Sequence, residues 1–278
     1  MQKFFLIFIS LVFFSCKDTI RNIPDKTIKD TLLKNVNKPK YQERPNSLSL
    51  LKILDSSLAY ARRCRLKNFY KHSYEIFPDD TSFTVTVQML YGYLFSNDKK
   101  HLLIRRKVPW ATYLNVYLLN GDDFKLVIER EQNDMTYIND TLKDVDGNNY
   151  KDFLIHWYPP SGCCLADMYN IYLYQPQSGS FTNDYEFINP TFFPREKKIL
   201  GLEYDQPGEA GLYKYKWNNL KVDTIEFIYP SFEKKGKFIK TNKQQYRPTK
   251  KEGVLLNSLP QEYLRIDSNA LKWFFDKY

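Results

Sequence analysis

Residues 83–89 read FTVTVQM, in which apolar and polar side chains alternate without a break. Because successive side chains of a β-strand point to opposite faces, this period of two predicts a strand with one buried face. Similar runs follow at short intervals, separated by turn signals such as residues 96–98 (SND) and 120–123 (NGDD). Strands of this length and spacing are typical of an antiparallel all-β protein. The predicted strands are residues 83–89, 101–106, 113–119, 124–129, 135–138, 153–158, 168–174, 181–187, 199–204, 212–217 and 220–228.

Several of these strands carry apolar residues on both faces. In one of them, Tyr169, Ile171 and Leu173 alternate with Tyr172 and Tyr174. Such a strand belongs to a sheet that is covered on both sides, as in stacked propeller blades. Aromatic residues make up 17% of the chain, which also favours β-structure with aromatic-filled layers. The sequence therefore predicts a mainly β, antiparallel, β-propeller-like fold, with a β-sandwich as the alternative.

Two helices are predicted to flank the strands. From residue 47 to residue 67, apolar side chains recur at the three- and four-residue steps of an amphipathic helix. The residues at these steps are Leu48, Leu51, Leu54, Leu58 and Ala61. Residues 267–278 predict a short C-terminal helix with its apolar side chains on one side. Residues 47–278 are thus expected to form a single β-rich domain with an N-terminal helix at 47–67.

The first forty-six residues have the pattern of a targeting segment followed by a linker. Residues 4–14 follow a basic start and contain Ser10 as their only polar member. As a helix they would rise about 16 Å, too short for the ~30 Å core of a bilayer, so residues 1–15 predict a cleavable signal peptide. The end of this run, residues 13–16 (FFSC), resembles a bacterial lipobox, which implies that Cys16 is acylated. Residues 16–46 are polar and contain three prolines, which predicts a lipidated flexible tether.

Three further cysteines, Cys64, Cys163 and Cys164, would then lie in a compartment that permits disulfides. A bond between the neighbours Cys163 and Cys164 would be strained, because adjacent Cα atoms are only about 3.8 Å apart. A bond from Cys64 to either of them is geometrically easier. Buried reduced thiols are the alternative, and the sequence leaves this choice open.

Residues 144–152 (DVDGNNYKD) are the most informative stretch for function. Calcium takes six to eight oxygen ligands, and alternate residues of a tight loop can converge on one point. The predicted ligands are the side chains of Asp144, Asp146, Asn148 and Asp152 and the backbone carbonyl of Tyr150. The sixth position of such a loop needs a positive φ, and Asn149 is one of the few residue types that tolerates it. The stretch therefore predicts a Ca²⁺ site.

A plain hairpin turn at Asp146 and Gly147 is the alternative, since Asp-Gly is itself a strong hairpin signal. We favour calcium because a turn alone does not require carboxylates at both ends of the loop. The loop is not an EF-hand, because Ile155 occupies the twelfth position and strands rather than helices are predicted on either side.

The loop is similar to the Asp-x-Asn/Asp-x-Asp-Gly-x-x-Asp calcium motif of FG-GAP repeats, found in integrin-α β-propellers. Asn148 replaces an aspartate and Asn149 a glycine, which would weaken the affinity. The features after the loop follow a recognisable order: Ser161-Gly162, the aromatic strand at 169–174, Phe181 and residues 215–218 (YKWN). This order resembles bacterial envelope lipoproteins with a propeller-like calcium-loop domain. Some members of that group are immunity proteins that inhibit secreted cell-wall lysozymes. The resemblance spans about residues 80–230.

This resemblance implies a lipid-anchored protein of the cell envelope, at the periplasmic face of the outer membrane or at the cell surface. It implies a monomeric binding or inhibitor module with one structural calcium ion, whose partner is an envelope protein or glycan. The net charge of +9 comes from lysines scattered along the sequence. We interpret it as solvated surface rather than as a nucleic-acid site, with cell-wall or polysaccharide anions as further partners.

The sequence predicts no catalytic centre. It contains no Gly-x-Ser-x-Gly, no His-Glu-x-x-His and no glycine-rich phosphate loop. A polysaccharide-active envelope enzyme remains the alternative function, because the ~5–9.5 Å separation of a catalytic carboxylate pair is a property of the fold.

Overall fold

The computed structural model describes residues 47–79, 82–160, 165–204 and 210–276. These residues form two α-helices, α1 and α2, and seventeen β-strands in antiparallel sheets. In chain order the elements are α1 (Ser47–Cys64), β1 (Phe69–Ile76), β2 (Val85–Gly92), β3 (His101–Val108), β4 (Ala111–Asn120), β5 (Asp123–Asn133), β6 (Tyr137–Lys143), β7 (Asp152–Trp157), β8 (Met168–Tyr172), β9 (Tyr174–Gln175), β10 (Ser180–Phe181), β11 (Tyr185–Ile188), β12 (Pro190–Phe193), β13 (Lys198–Tyr204), β14 (Ala210–Asn218), β15 (Lys221–Pro230), β16 (Phe238–Thr241), β17 (Val254–Leu256) and α2 (Ser268–Asp276). The predicted mainly β fold with a helix near each end is confirmed.

Three large sheets follow one another along the chain. The first sheet has the order β1-β2-β3-β4-β5, the middle sheet β11-β8-β7-β6, and the third sheet β12-β13-β14-β15-β16-β17. Strands β9 and β10 form a separate two-stranded ribbon. Almost every strand pairs with its neighbour in sequence, which is the pattern of a meander, and the pairing is antiparallel throughout.

The sheets are stacked face to face between the two helices. Helix α1 packs on the outer face of the first sheet, and α2 packs on the outer face of the third sheet. The first and middle sheets share one core and the middle and third sheets share another. Within β7, Phe153 and Ile155 pack into the core shared with the first sheet, and Leu154 packs into the core shared with the third sheet. Each sheet is therefore covered on both faces, which explains the apolar residues on both faces of its strands.

Some element boundaries differ from the prediction. Helix α1 ends at Cys64 rather than at residue 67. The predicted strand at 181–187 is divided between β10 and β11. Thr182, between the two, bonds to Leu173 through both its amide and its hydroxyl group. Strands β1, β12, β16 and β17 are not among the predicted strands. No helix in the described ranges has the length and apolar character needed to cross a membrane.

The predicted signal peptide (1–15), Cys16 and the tether (16–46) lie outside the described residues, as do Cys163 and Cys164. Cys64 is half-buried, and it forms no disulfide with any residue that the structure describes. Its neighbour Tyr60, one turn earlier in α1, forms a side-chain hydrogen bond with it, which raises the pKa of the tyrosine. The predicted disulfides stay predictions.

Candidate metal site

The predicted calcium loop connects β6 to β7 in the middle sheet. The last ladder pair before the loop joins Lys143 to Asp152, so the two strands bring the ends of the loop together. The backbone of the loop is left-handed at Gly147 (φ 77°) and at Asn149 (φ 68°). The predicted positive φ at Asn149 is thus confirmed, and this conformation closes the loop into a tight turn.

Three carboxylates converge inside this loop. Ligand oxygens of Asp144, Asp146 and Asp152 all lie within 4.8 Å of one another. Asp152 is 0% exposed and Asp146 8% exposed, whereas Asp144 is half-buried. Three carboxylate oxygens in one small space suit a hard cation such as Ca²⁺, which prefers oxygen ligands.

The same carboxylates also order the backbone of the loop. Asp144 accepts hydrogen bonds from the amides of Gly147 (2.7 Å) and Asn149 (3.0 Å). Asp152 accepts from the amides of Val145 (2.9 Å) and Tyr174 (3.0 Å). A plain turn therefore uses both terminal carboxylates too, so their presence alone does not distinguish a turn from a metal site.

The other two predicted ligands are the side-chain oxygen of Asn148 and the backbone carbonyl of Tyr150. The side-chain oxygen of Asn148 accepts the amide of Tyr150 at 2.8 Å, and its amide group donates to Asp146 at 3.1 Å. The ring of Tyr150 lies against Tyr174, with the ring centroids 5.7 Å apart. The carboxylate cluster consists of Asp144, Asp146 and Asp152, with Asn148 beside it.

The loop lies where all three sheets meet. The amide of Lys151 donates to the carbonyl of Phe95, in the connection that follows β2 of the first sheet, at 3.2 Å. On the other side, a Cβ atom added at Gly147 would lie 2.1 Å from the carbonyl oxygen of Pro194, in the turn between β12 and β13 of the third sheet. Only glycine fits this approach. The loop therefore connects the middle sheet to both of its neighbours.

Burial makes this loop electrostatically unfavourable in the absence of a cation. It raises the pKa of Asp152 to about 8, although two backbone amides donate to that carboxylate and oppose the shift. It also raises the pKa of Asp146, an effect that the amide of Asn148 and the nearby positive charge of Lys197 partly oppose. A divalent cation would favour the charged form of both groups.

The residues that tie the loop to its neighbours were not predicted. Phe95 and Pro194 contribute backbone carbonyls, and Tyr174 contributes an amide. Backbone contacts carry no signature in the identity of a side chain. A positive φ at Lys197 (53°) shapes the facing turn, and lysine gives no sequence signal for that conformation.

The histidines are dispersed, each with its own partners. His72 stacks on Tyr60, His101 is buried with its ring nitrogens near two backbone carbonyls, and the Nε2 of His156 lies 2.7 Å from Asp167. These positions lie on β1, β3 and β7. Within the described ranges, no histidine joins the carboxylate cluster.

Comparisons with protein-family models, with curated proteins and with solved structures found no match for this chain.

Proposed function

We propose that this chain is a lipid-anchored envelope protein that acts as a binding or inhibitor module, with one structural Ca²⁺ ion in the loop of residues 144–152. The observation that carries the proposal is the convergence of Asp144, Asp146 and Asp152 at the junction of three sheets. An ion there would fix the relative positions of the sheets and of the surface around the loop. Its role would be structural, since the ligands lie in a closed turn rather than in a substrate cleft.

The donor set suits a hard cation such as calcium better than zinc or copper. All three converged groups are carboxylates, and carboxylate oxygens favour Ca²⁺, Mg²⁺ or Mn²⁺ over zinc or copper. Asn148 and the Tyr150 carbonyl would add oxygen ligands once the loop adjusts around the ion. Because Asn148 is neutral, we expect a weaker site than one with four carboxylates.

The propeller-like arrangement is part of the same proposal. Three meander sheets that follow one another in sequence and pack face to face have the organisation of consecutive propeller blades. None of the sheets in the described part of the chain closes on itself. We therefore propose a propeller-like stack of blades rather than a closed ring.

The binding role is favoured over catalysis by the arrangement of the acidic side chains. One surface cavity, of about 480 Å³, lies between the end of α1 and the connections next to β3 and β4. Its two acids are in ion pairs, Asp98 with Lys99 at 3.3 Å and Asp122 with Arg65 at 2.9 Å. The hydrogen bond from Ser96 and the charge of Lys99 hold the pKa of Asp98 below its ordinary value, whereas the general acid of a polysaccharide-active enzyme needs a raised pKa.

The function is tested with a secreted cell-wall lysozyme and purified peptidoglycan. We expect stoichiometric inhibition of the lysozyme by the calcium-loaded chain and weaker inhibition after chelation, because the loop would no longer fix the binding surface. The chain alone should release no soluble fragments. Release of fragments by the chain would instead support the polysaccharide-active enzyme, and the absence of both effects would contradict the inhibitor proposal.

The anchor is tested separately. In membranes washed with high salt, which removes electrostatic attachment, Cys16→Ser should move the protein from the membrane fraction to the soluble fraction, because the thiol that carries the lipid is lost. Thr19→Ser, which leaves residues 13–16 intact, is the control for a neighbouring change. Continued membrane retention of Cys16→Ser would contradict lipidation at this residue.

A further inference from the structure

Two loops of the third sheet form an exposed surface in which cations and aromatic rings are mixed. They are the β15–β16 connection (231–237) and the β16–β17 connection (242–253), and we call residues 231–254 the basic loop surface. The guanidinium carbon of Arg247 lies 4.8 Å from the ring centroid of Phe232 and 5.3 Å from that of Tyr246. Arg247 therefore joins the two loops, although they begin at opposite ends of β16.

Much of the chain's positive charge is concentrated here. Residues 231–253 contain eight lysines and arginines and two glutamates, a net charge of +6 out of +9 for the whole chain. The exposed cations are Lys234, Lys235, Lys243, Arg247, Lys250 and Lys251. One of the two acids, Glu252, is engaged within its own turn, where it accepts the amide and the hydroxyl of Thr249. The positive charge is thus concentrated in these two loops and the short strand between them.

Apolar side chains are exposed among these cations. Phe232 is 52% exposed, Tyr246 50% and Val254, at the start of the edge strand β17, 60%. Their backbone is held in place, since the amide of Gln245 donates to the hydroxyl of Tyr229 at 3.0 Å and the two ends of the shorter loop bond to each other. The loops therefore present their rings to solvent in an ordered conformation.

We infer that the basic loop surface binds an anionic phospholipid membrane. Lysines and arginines are attracted to phosphate headgroups. Aromatic side chains favour the membrane–water interface at headgroup level, where a ring contacts apolar chains on one side and water on the other. Burial of the exposed, aliphatic Val254 at that depth would be favourable, because an apolar side chain leaves water. A soluble polyanion offers no apolar surface for this side chain. This inference stands independently of acylation at Cys16 and of the calcium site.

The experiment uses the chain from residue 17 onward, which contains the whole compact unit Gln42–Tyr278 and lacks the acylated residue. Co-sedimentation is measured with vesicles of phosphatidylglycerol mixed with phosphatidylcholine and with vesicles of phosphatidylcholine alone. We expect binding to the anionic vesicles only, and binding that falls as salt is added.

Variants locate the binding surface. Lys234→Gln/Lys235→Gln should weaken vesicle binding about 30-fold, because each lysine near an anionic bilayer contributes to binding. The control Lys125→Gln/Lys143→Gln makes the same change in net charge at exposed lysines of β5 and β6, and should leave binding unchanged. Phe232→Ala should weaken binding about tenfold without altering the charge.

Three outcomes would overturn the inference. The first is equal binding to phosphatidylcholine alone. The second is an equal loss in the control pair, which would assign the binding to net charge. The third is tighter binding to polyphosphate or to a DNA oligonucleotide together with no effect of Phe232→Ala. Circular dichroism and the melting temperature of each variant show that the fold is kept.

Discussion

Asp146→Asn should change the stability of the protein in opposite directions with and without calcium. In the metal-free protein the charge of Asp146 lies near two other carboxylates, with ligand oxygens within 4.8 Å. At an effective dielectric constant of about 20, the pair with Asp144 repels by about 3 kcal/mol. The second neighbour, Asp152, is largely uncharged at neutral pH, because burial raises its pKa to about 8. The asparagine removes this repulsion together with the cost of burying a charge at this site.

The substitution also loses a contact. One carboxylate oxygen of Asp146 accepts the side-chain amide of Asn148 at 3.1 Å, and the new amide group would face that donor. A lost hydrogen bond costs about 1 kcal/mol. The balance predicts that the metal-free variant is more stable than the unsubstituted chain by about 2 kcal/mol.

With calcium the order should reverse. An ion at a hundredfold excess over its dissociation constant stabilises the protein by about 2.7 kcal/mol. The variant would lose most of this gain, because it lacks one of three charged ligands. The measurement is urea unfolding at neutral pH, followed by tryptophan fluorescence, in chelator and in saturating Ca²⁺.

Asp223→Asn is the matched control. This exposed carboxylate of β15 accepts a hydrogen bond from the side chain of Asn218 at 3.0 Å and lies in another sheet. Its effect should be the same in chelator and in calcium. If Asp146→Asn lowers the stability equally under both conditions, Asp146 is a turn residue and the metal proposal is refuted.

Three further predictions concern the loop, a buried histidine and the C-terminal helix. Gly147→Ala should lower the free energy of unfolding by several kcal/mol, because the new Cβ would lie 2.1 Å from a carbonyl oxygen of the third sheet. The control is Gly121→Ala, where φ is a similar 63° and no atom lies within 4 Å. It should cost only about 1 kcal/mol, as measured by chemical denaturation. Burial lowers the pKa of His101, so below the ordinary pKa of histidine the unfolded chain binds a proton that the folded chain does not, and the contribution of His101 to stability should fall as the pH drops from 7 to 5, by at most ~1.4 kcal/mol per pH unit. Asp152, whose pKa burial raises to about 8, contributes with the opposite sign over this range. The His101 effect is therefore measured as the pH-dependent difference in stability between the unsubstituted chain and His101→Gln. Phe274→Ala, at a fully buried site of α2, should lower the free energy of unfolding by about 3–5 kcal/mol. Phe275→Ala, at a half-exposed site of the same helix, should lower it by less than half of that. Equal losses would contradict the packing of α2 on the third sheet.

The interior strands could be predicted from the sequence because their patterns are long and regular. The alternation at 83–89 and the turn signals that follow locate β2 to β5, and the apolar runs at 199–204 and 212–217 locate β13 and β14. Strand β1 was missed because it is an edge strand with mostly exposed side chains. Strands β16 and β17 were missed because they are short and lie between lysine-rich loops.

The carboxylates of the site could be predicted because alternate spacing in a tight loop makes side chains converge. The place of the loop in the fold could not. Its contacts with the first and third sheets run through the carbonyls of Phe95 and Pro194, which any residue could supply. Only Gly147 leaves a trace in the sequence, and an Asp-Gly pair also occurs in ordinary hairpins.

The position of the loop matters because the stack of sheets is open. In a ring of blades every sheet has two sheet neighbours, but here the first and third sheets have one each, and α1 and α2 cover their outer faces. The contact of Gly147 with the turn at Pro194 is one tie between the middle and third sheets. The tie to the first sheet, at Lys151, lies beside Asp152, which the β6–β7 ladder holds without the ion, whereas Gly147 lies inside the turn. Removal of the ion should therefore loosen the third sheet before the first. We expect faster amide exchange in β12 and β13 upon chelation, with β2 and β3 unchanged, by mass-spectrometric hydrogen exchange. A uniform change across all three sheets would show that the ion stabilises the domain without acting as a tie between these two sheets.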